Sequence, residues 1–270
     1  MNDGLMIHWS PDPVLVHLGP LQIRWYGLLF LSGFYLGLYF MQGVCRRENK
    51  PPQKLDTLLV YMIAGTTIGA RLAHCFFYEW DYYSQHLLEI LMIWKGGLAS
   101  HGGGAGVVIA LFIFSRRNPE FSFSWLCDRM ALPLVLTGSL IRLGNLMNSE
   151  IIGQPTNLPW AFVFDRVDQV PRHPAQIYES LWYFATWLVG IFLYRKFKYK
   201  PPVGLLFGWV VTAIFVGRIL IELVKENQEA FEANMTLNLG QWLSIPWLLA
   251  GCFLFFRALI QARKKNKKQT

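Results

Sequence analysis

Residues 131–153 read ALPLVLTGSLIRLGNLMNSEIIG. An apolar run gives way to Arg142, Asn145, Asn148, Ser149 and Glu150, so polar groups crowd the last turns of what reads as a membrane helix. The rest of the chain supports that reading. Of 270 residues, 53% are hydrophobic and 16% aromatic, and the mean hydropathy is +0.30. Several apolar runs reach roughly 18 to 22 residues, enough to cross about 30 Å of hydrocarbon. A soluble domain of this length would carry shorter apolar segments interleaved with charge. The class expected is an all-α polytopic membrane protein, a single integral-membrane domain over 1–270.

Hydropathy delimits about seven spans, near 22–42, 56–78, 98–115, 123–141, 176–194, 203–224 and 237–257. The connections after the first, third, fifth and seventh spans hold sixteen Lys and Arg residues, among them Arg46, Arg47, Arg116, Arg195, Lys196 and Lys264. The opposite side has Lys95, Arg166, Arg172 and Lys225. Positive-inside bias therefore puts the N-terminus outside, in the periplasm, and the C-terminus in the cytoplasm. The basic tail 258–270 is explained as a topology determinant that touches anionic lipid, so the formal charge of +8 does not call for nucleic acid. The loop 143–175, rich in Pro, Asn and Gly, reads as a turn-rich external cap. Segment 79–97, EWDYYSQHLLEILMIWKGG, reads as amphipathic and suited to the interface. The N-terminus lacks the pattern of a cleaved signal peptide. Cys45, Cys75, Cys127 and Cys252 are too scattered for a disulfide framework or a zinc site.

With this topology the polar residues of the spans share one side. Arg24, Trp25 and Tyr26 open span 1, and Arg71 and His74 lie one turn apart near the outer end of span 2. His101 opens span 3 within SHGGGAG, Arg142 and Asn145 close span 4, and Gln176, Tyr178 and Glu179 open span 5. Span 6 carries Arg218 and Glu222, with Arg218 about 9 Å below its outer end. An intramembrane Arg costs about 2.5–3.5 kcal/mol on insertion scales and normally faces a bundle interior or a wet cavity. Arg24, Arg71, Arg142 and Arg218 at one depth therefore imply a cationic chamber open to the outer leaflet. Plainer readings stand beside this one. Arg24 can snorkel, Trp25 and Tyr26 can belong to an aromatic belt, and Arg71 with His74 can be a structural pair. The glycines at 102–104 and 106 can serve helix packing, His101 can be a satisfied interface histidine, and Glu222 can neutralise Arg218. Arg142 has no acidic residue one turn before it, which makes it the hardest to explain structurally.

A cationic chamber at that depth suits an anionic lipid. Arginine keeps its proton and grips phosphate with a planar fork of donors. Two arginines would hold a phospholipid head group and stabilise phosphate as a leaving group. His101 is the natural candidate for proton transfer. No HExxH, GxSxG or compact His/Cys/carboxylate cluster is present in the sequence, so no metal or cofactor is expected.

These motifs resemble the prolipoprotein diacylglyceryl transferase family. The matching stretches are IRWYGLLFLSGF (23–34), GARLAHCFFYEW (69–80), GGLASHGGGAGVVIA (96–110), RLGNLMNSEIIGQPTNLPWAFVF (142–164), RHPAQIYES (172–180) and GRILIELVKE (217–226). They stand in the family's order, and the block RxGNxxNxExxGxPT with the upstream HGG is highly specific. The resemblance implies transfer of a diacylglyceryl group from phosphatidylglycerol to the thiol of the lipobox cysteine in a bacterial prolipoprotein signal peptide. A thioether and glycerol phosphate would be the products, formed at the bacterial inner membrane. It assigns Arg142 and Arg218 to the lipid phosphate, with Tyr26, Asn145, Glu150, Gly153 and Glu222 shaping the site. It also makes His101 functionally important, either as the base for the incoming thiol, whose free pKa is near 8.5, or as a group that orients the lipid while another group or water takes the proton. The chain departs from the family at Ile214, where members often carry tyrosine, and in VKENQEAFE, where an acidic, proline-containing stretch is usual.

Other classes fit less well. A transporter or channel for an anionic solute needs polar residues at mid-span, where FLSGFYLG, LVLTG and FGWVVTAI are apolar. A lipid-binding assembly factor would have the same chamber without turnover. An intramembrane protease would need a Ser–His pair or paired aspartates.

Overall fold

Helix boundaries follow the punctuation of the chain. In a computed structural model, which describes residues 6–19, 21–226 and 237–267, the elements run as follows. Strands β1 (Ile7–His8), β2 (Val14–Leu18) and β3 (Leu21–Arg24) lead into helix α1 (Trp25–Arg47). Helix α2 (Lys54–Ala73) passes into a wide π turn (His74–Tyr78), a short α3 (Trp80–Tyr83) and two 3-10 turns (Leu87–Leu91 and Ile93–Lys95). Then come α4 (Ser100–Arg117), α5 (Phe123–Asn148), β4 (Phe162–Val163), β5 (Pro171–Arg172), α6 (Ala175–Lys196), α7 (Leu205–Ile221), a 3-10 turn (Glu222–Val224) and α8 (Leu239–Lys267). Helices α1, α4 and α6 each carry two basic residues in their last turn, where the helix dipole favours them. Residues 227–232 of VKENQEAFE and the tail end 268–270 lie outside the described residues.

Among the described residues, five helical stretches are long and apolar enough to cross a membrane: Trp25–Arg47, Lys54–Tyr78, Phe123–Asn148, Leu205–Val224 and Gly240–Lys264. Their apolar residues point outward, with Tyr35 and Tyr39 each 72% exposed and Leu249 and Phe253 each 65%. Polar side chains are buried instead, among them Arg71, Asn145, Gln176, Glu179, Glu222 and Lys225. A water-soluble fold does the reverse, so this pattern matches a chain whose solvent is lipid.

Two units are distinguished, residues 41–127 and residues 1–40 with 128–270. In the first, α2 and α4 meet through glycines. A Cβ on Gly65 would stand 2.6 Å from the Gly106 carbonyl oxygen, and one on Gly69 would stand 2.9 Å from the Gly106 Cα. Gly102 likewise abuts the Gly69 backbone. The glycine run beside His101 is thus used at 102 and 106 for backbone contact, the plainer of its two readings. Gly104 faces open space.

In the second unit, Asp128 at the start of α5 accepts from the Gly204 and Phe207 amides at 2.8 and 3.0 Å, capping α7. Gly208 packs on α8, where a Cβ would lie 2.5 Å from the Phe255 nitrogen. Helix α5 continues to Asn148, seven residues past the span limit read from hydropathy, so 143–148 of the expected cap loop are helical. The remainder is turn-rich and carries β4 and β5, which pair antiparallel, with β1 parallel to β4. Leu146, Ile152, Phe162 and Phe164 form a small core beneath it, with Trp9 and Ile177 packed against them. The five short strands depart from the all-α expectation, because pieces of two to five residues are too short for alternation to reveal. Helix α8 continues to Lys267, so most of the basic tail is helical.

Candidate active site

The site grows from the last turns of α5. Arg142 and Asn145 are three residues apart and share a face. Arg142 Nη1 points at Asn145 Oδ1, 3.5 Å away. Asn145 Nδ2 donates to Glu150 Oε2, and Asn148 Nδ2 to Glu150 Oε1, both at 3.1 Å. Glu150 comes back to these asparagines because the residues on either side of it are left-handed, Ser149 at φ 56° and Ile151 at φ 58°. For a β-branched residue this is a strained conformation, costing about 1–2 kcal/mol. Neighbouring bonds enforce it. The Glu150 amide donates to the Asn145 carbonyl at 3.0 Å, and Gln176 Nε2 donates to the Glu150 carbonyl at 2.6 Å.

Gly153 follows, but a turn is not what requires glycine there, since its φ is not positive. A Cβ would lie 2.5 Å from the His173 carbonyl oxygen and 2.8 Å from that of Val224. The residue is small because two backbones pass on either side of it, and Gly153 bridges to Lys225.

Helix α6 contributes Gln176, Glu179 and Tyr183, spaced i, i+3, i+7 on one face. The buried Glu179 is the hub. Its Oε2 lies 3.0 Å from Arg142 Nε, and its Oε1 lies 3.7 Å from Lys225 Nζ. Arg142 therefore has an acidic partner, contrary to the sequence reading, and it comes from another helix. Tyr183 lies within electrostatic reach of both Arg142 and Arg218. Tyr26, at the start of α1, sits within electrostatic reach of Glu150 and Arg142. Its ring packs on Gly144, where a Cβ would stand 2.8 Å from Tyr26 Cδ2.

Helix α7 brings Arg218 and then Glu222. Glu222 does not neutralise Arg218; its Oε2 lies 3.7 Å from Lys225 Nζ. Among the described residues the Arg218 guanidinium has no acidic partner, and its buried Nε has no hydrogen-bond acceptor. Three cations (Arg142, Arg218 and Lys225) thus face two carboxylates (Glu179 and Glu222), while Glu150 lies exposed beside them. A half-buried guanidinium without an acidic partner favours an anion beside it. Ile214 lies one turn before Arg218, and the phenol near both arginines comes from Tyr183 of α6.

Two of the four arginines read as one chamber have other partners. Arg24 is exposed at the end of β3 and donates to Gln22 Oε1 at 3.4 Å. Arg71 belongs to the other unit, where backbone carbonyls saturate it. His101 is in that unit too. It is exposed in the first turn of α4, on the rim of a groove of about 480 Å³ lined by Leu72, Ala73, Phe76, Ala105 and Ile109. No group of three His, Cys, Asp or Glu side chains that could hold a metal occurs among the described residues. Sequence reasoning missed Lys225, counted as a loop charge, and Tyr183. It noted Gln176 and Glu179 only as polar residues opening a span, although their spacing with Tyr183 was the available signal.

Outside the membrane segments, Arg172 locks the cap. Its Nε and Nη2 donate to Asp168 Oδ2 at 3.0 and 2.6 Å, and its Nη1 to Glu226 at 3.2 Å. The hydrogen bond from Arg172 holds the Asp168 carboxyl below its ordinary value.

Residues 13–257 match the family model described as prolipoprotein diacylglyceryl transferase. Among curated relatives, the phosphatidylglycerol–prolipoprotein diacylglyceryl transferase of Tolumonas auensis is 50% identical over 262 residues, covering 97% of this chain and 100% of the relative. The protein of the same name from Chloroherpeton thalassium is 48% identical over 263 residues, 97% of this chain and 98% of the relative. That from Bacteroides fragilis is 42% identical, covering 99% and 100%. With similarity of this degree along almost its whole length, the chain belongs to the prolipoprotein diacylglyceryl transferase family.

Proposed function

We propose that this protein is a transferase that moves the diacylglyceryl group of phosphatidylglycerol to the thiol of a prolipoprotein's lipobox cysteine. The observation that carries the reading is the Arg142–Glu179–Lys225–Glu222 network with Arg218 left over. Its three cations and two carboxylates would be balanced by one phosphodiester. Glu179 takes the Nε of Arg142 and Asn145 makes a long contact with Nη1, which leaves Nη2 and the second proton of Nη1 to hold phosphate. The sulfur attacks the glyceryl methylene, a C–S bond forms, and the C–O bond to phosphate breaks. The electron pair stays on the phosphate oxygen, where Arg142 and Arg218 stabilise it. Tyr26, Asn145, Glu150, Gly153 and Glu222 shape the pocket, and His101 takes the thiol proton. No cofactor enters this scheme.

The same reading supplies the finer topology. The two helices α4 and α6, of 18 and 22 residues, complete a set of seven spans. Both open on polar residues and end on two basic ones, which sets them apart from the five more apolar stretches. The charge bias favours an N-terminus outside, a cytoplasmic C-terminal tail at 258–270 and an external cap within 143–175. Segment 79–97 exposes Leu88, Leu91 and Trp94 by more than 70% each, which suits the membrane interface. The enzyme would then work at the outer leaflet of the bacterial inner membrane.

The test is transfer of label from diacylglyceryl-labelled phosphatidylglycerol to a lipobox peptide, with its cysteine intact or changed to serine. Label on the cysteine peptide alone, lost in Arg142→Ala, supports the reading. Phosphatidylglycerol bound in an Arg142-dependent way with no thioether formed would make the site a lipid-binding one.

A further inference from the structure

Arg71 is a buried cation that the transfer scheme leaves unused. Only 2% of its surface is exposed. Its Nε donates to the Ile90 carbonyl at 3.0 Å, its Nη2 to that of Glu89, and its Nη1 to those of Gly96 and Gly97. The guanidinium also stands 4.9 Å from the Tyr83 ring centroid. No acidic side chain pairs with it among the described residues, so carbonyl dipoles and an aromatic face stabilise the charge.

We propose that Arg71 is a positioning residue for His101, a role that rests on His101 taking part in the transfer. The fork grips two stretches of segment 79–97, the second of which leads straight into α4. That second stretch has no conformation of its own, because Gly96 and Gly97 are left-handed, at φ 85° and φ 70°. Arg71 fixes it at one end, and at the other the Ala99 amide donates to the Ala70 carbonyl at 3.0 Å. His101 follows two residues later, on the groove rim. Arg71 is not needed to hold the helix pair together. The α2–α4 contact is made by Gly65, Gly69, Gly102 and Gly106, and the guanidinium instead sets the path of the chain that delivers the imidazole. A side chain 1 Å out of place can cost about 100-fold in rate.

The test is a double-mutant cycle on the full-length protein in phosphatidylglycerol nanodiscs, scored by kcat and KM for transfer to the lipobox peptide. Arg71→Lys keeps the charge but loses the fork. It is expected to lower kcat about 10- to 100-fold, with KM for phosphatidylglycerol unchanged. In a His101→Asn background the same change should cost less than about threefold, since there is no longer an imidazole to position. Gly97→Ala disturbs the same turn while leaving the arginine itself, with its charge and its fork, in the chain. Its Cβ would meet the His74 ring and Arg71 Nη1, and it should give the same non-additive pattern even if Arg71→Lys inserts poorly. Losses that multiply in both cycles, or a His101→Asn protein with full activity, overturn the proposal while leaving the transferase reading intact. A wild-type protein that transfers no label removes both.

Discussion

Glu179→Gln isolates the part of the site that holds Arg142 in place. The substitution keeps the shape of the side chain and removes its charge. Glu179 sits 3.0 Å from Arg142 and 3.7 Å from Lys225, so at an effective dielectric near 20 it attracts them by about 5.5 and about 4.5 kcal/mol before desolvation. Most of that attraction offsets the cost of burying the charges. The measurable loss on removing one partner of a buried pair is about 3–5 kcal/mol. The share that reaches the chemistry is the anchoring of Arg142. About half of that loss, roughly 1.5–2.5 kcal/mol, falls on the placing of Arg142, which predicts a rate of label transfer about 10- to 70-fold below wild type. Adding Lys225→Met returns the buried charge to its wild-type balance and should recover part of that loss, in thermal stability as well as in rate. A Glu179→Gln protein with wild-type transfer, or a double variant no better than the single one, would refute the charge balance argued for this site.

Arg218→Lys keeps a positive charge but loses the planar fork, and kcat/KM for phosphatidylglycerol should fall about tenfold or more in the same assay. Gly69→Ala pushes a methyl against the backbone of Gly102 and Gly106, and is expected to lower thermal stability by about 1–3 kcal/mol as read by detergent melting. The folded-state pKa of Asp168 is depressed by Arg172, so the stability it contributes is present above the ordinary aspartate pKa near 3.9 and fades as pH falls through the lower folded value. Hydrogen exchange in the cap should therefore rise in acid below about pH 4, and Arg172→Gln should remove that step.

The membrane class and the ends of several helices were legible because they rest on long apolar runs and charge bias, which are local properties of the sequence. Arg142 and Arg218 drew attention by their chemistry, since an arginine near a span end needs a reason, while Asn145 and Glu150 took their proposed roles from the family resemblance. The partners were not. Glu179 meets Arg142 from another helix, and nothing in the spacing around residue 142 reveals which helix lies alongside. Lys225 read as a loop charge because it follows a span, yet its backbone is drawn in against Gly153 and its amine is buried. Arg71 looked like a member of the same cationic set, and its carbonyl cage could not be foreseen from the segment that supplies it. The small strands of the cap escaped for want of length.

The distances along the chain between Arg142, Glu179 and Lys225 also set an order of events during synthesis. Glu179 is made 37 residues after Arg142, and Lys225 a further 46 residues on. At about 5–20 residues per second, the arginine waits about 2–7 s before its carboxylate exists. Throughout that interval the guanidinium rides without that carboxylate near the end of its helix, whereas at mid-membrane such a charge would cost about 2.5–3.5 kcal/mol. Its place at the end of α5 keeps it near water while it waits. The last two helices of the site then close over a charge that the nascent chain could not have buried earlier.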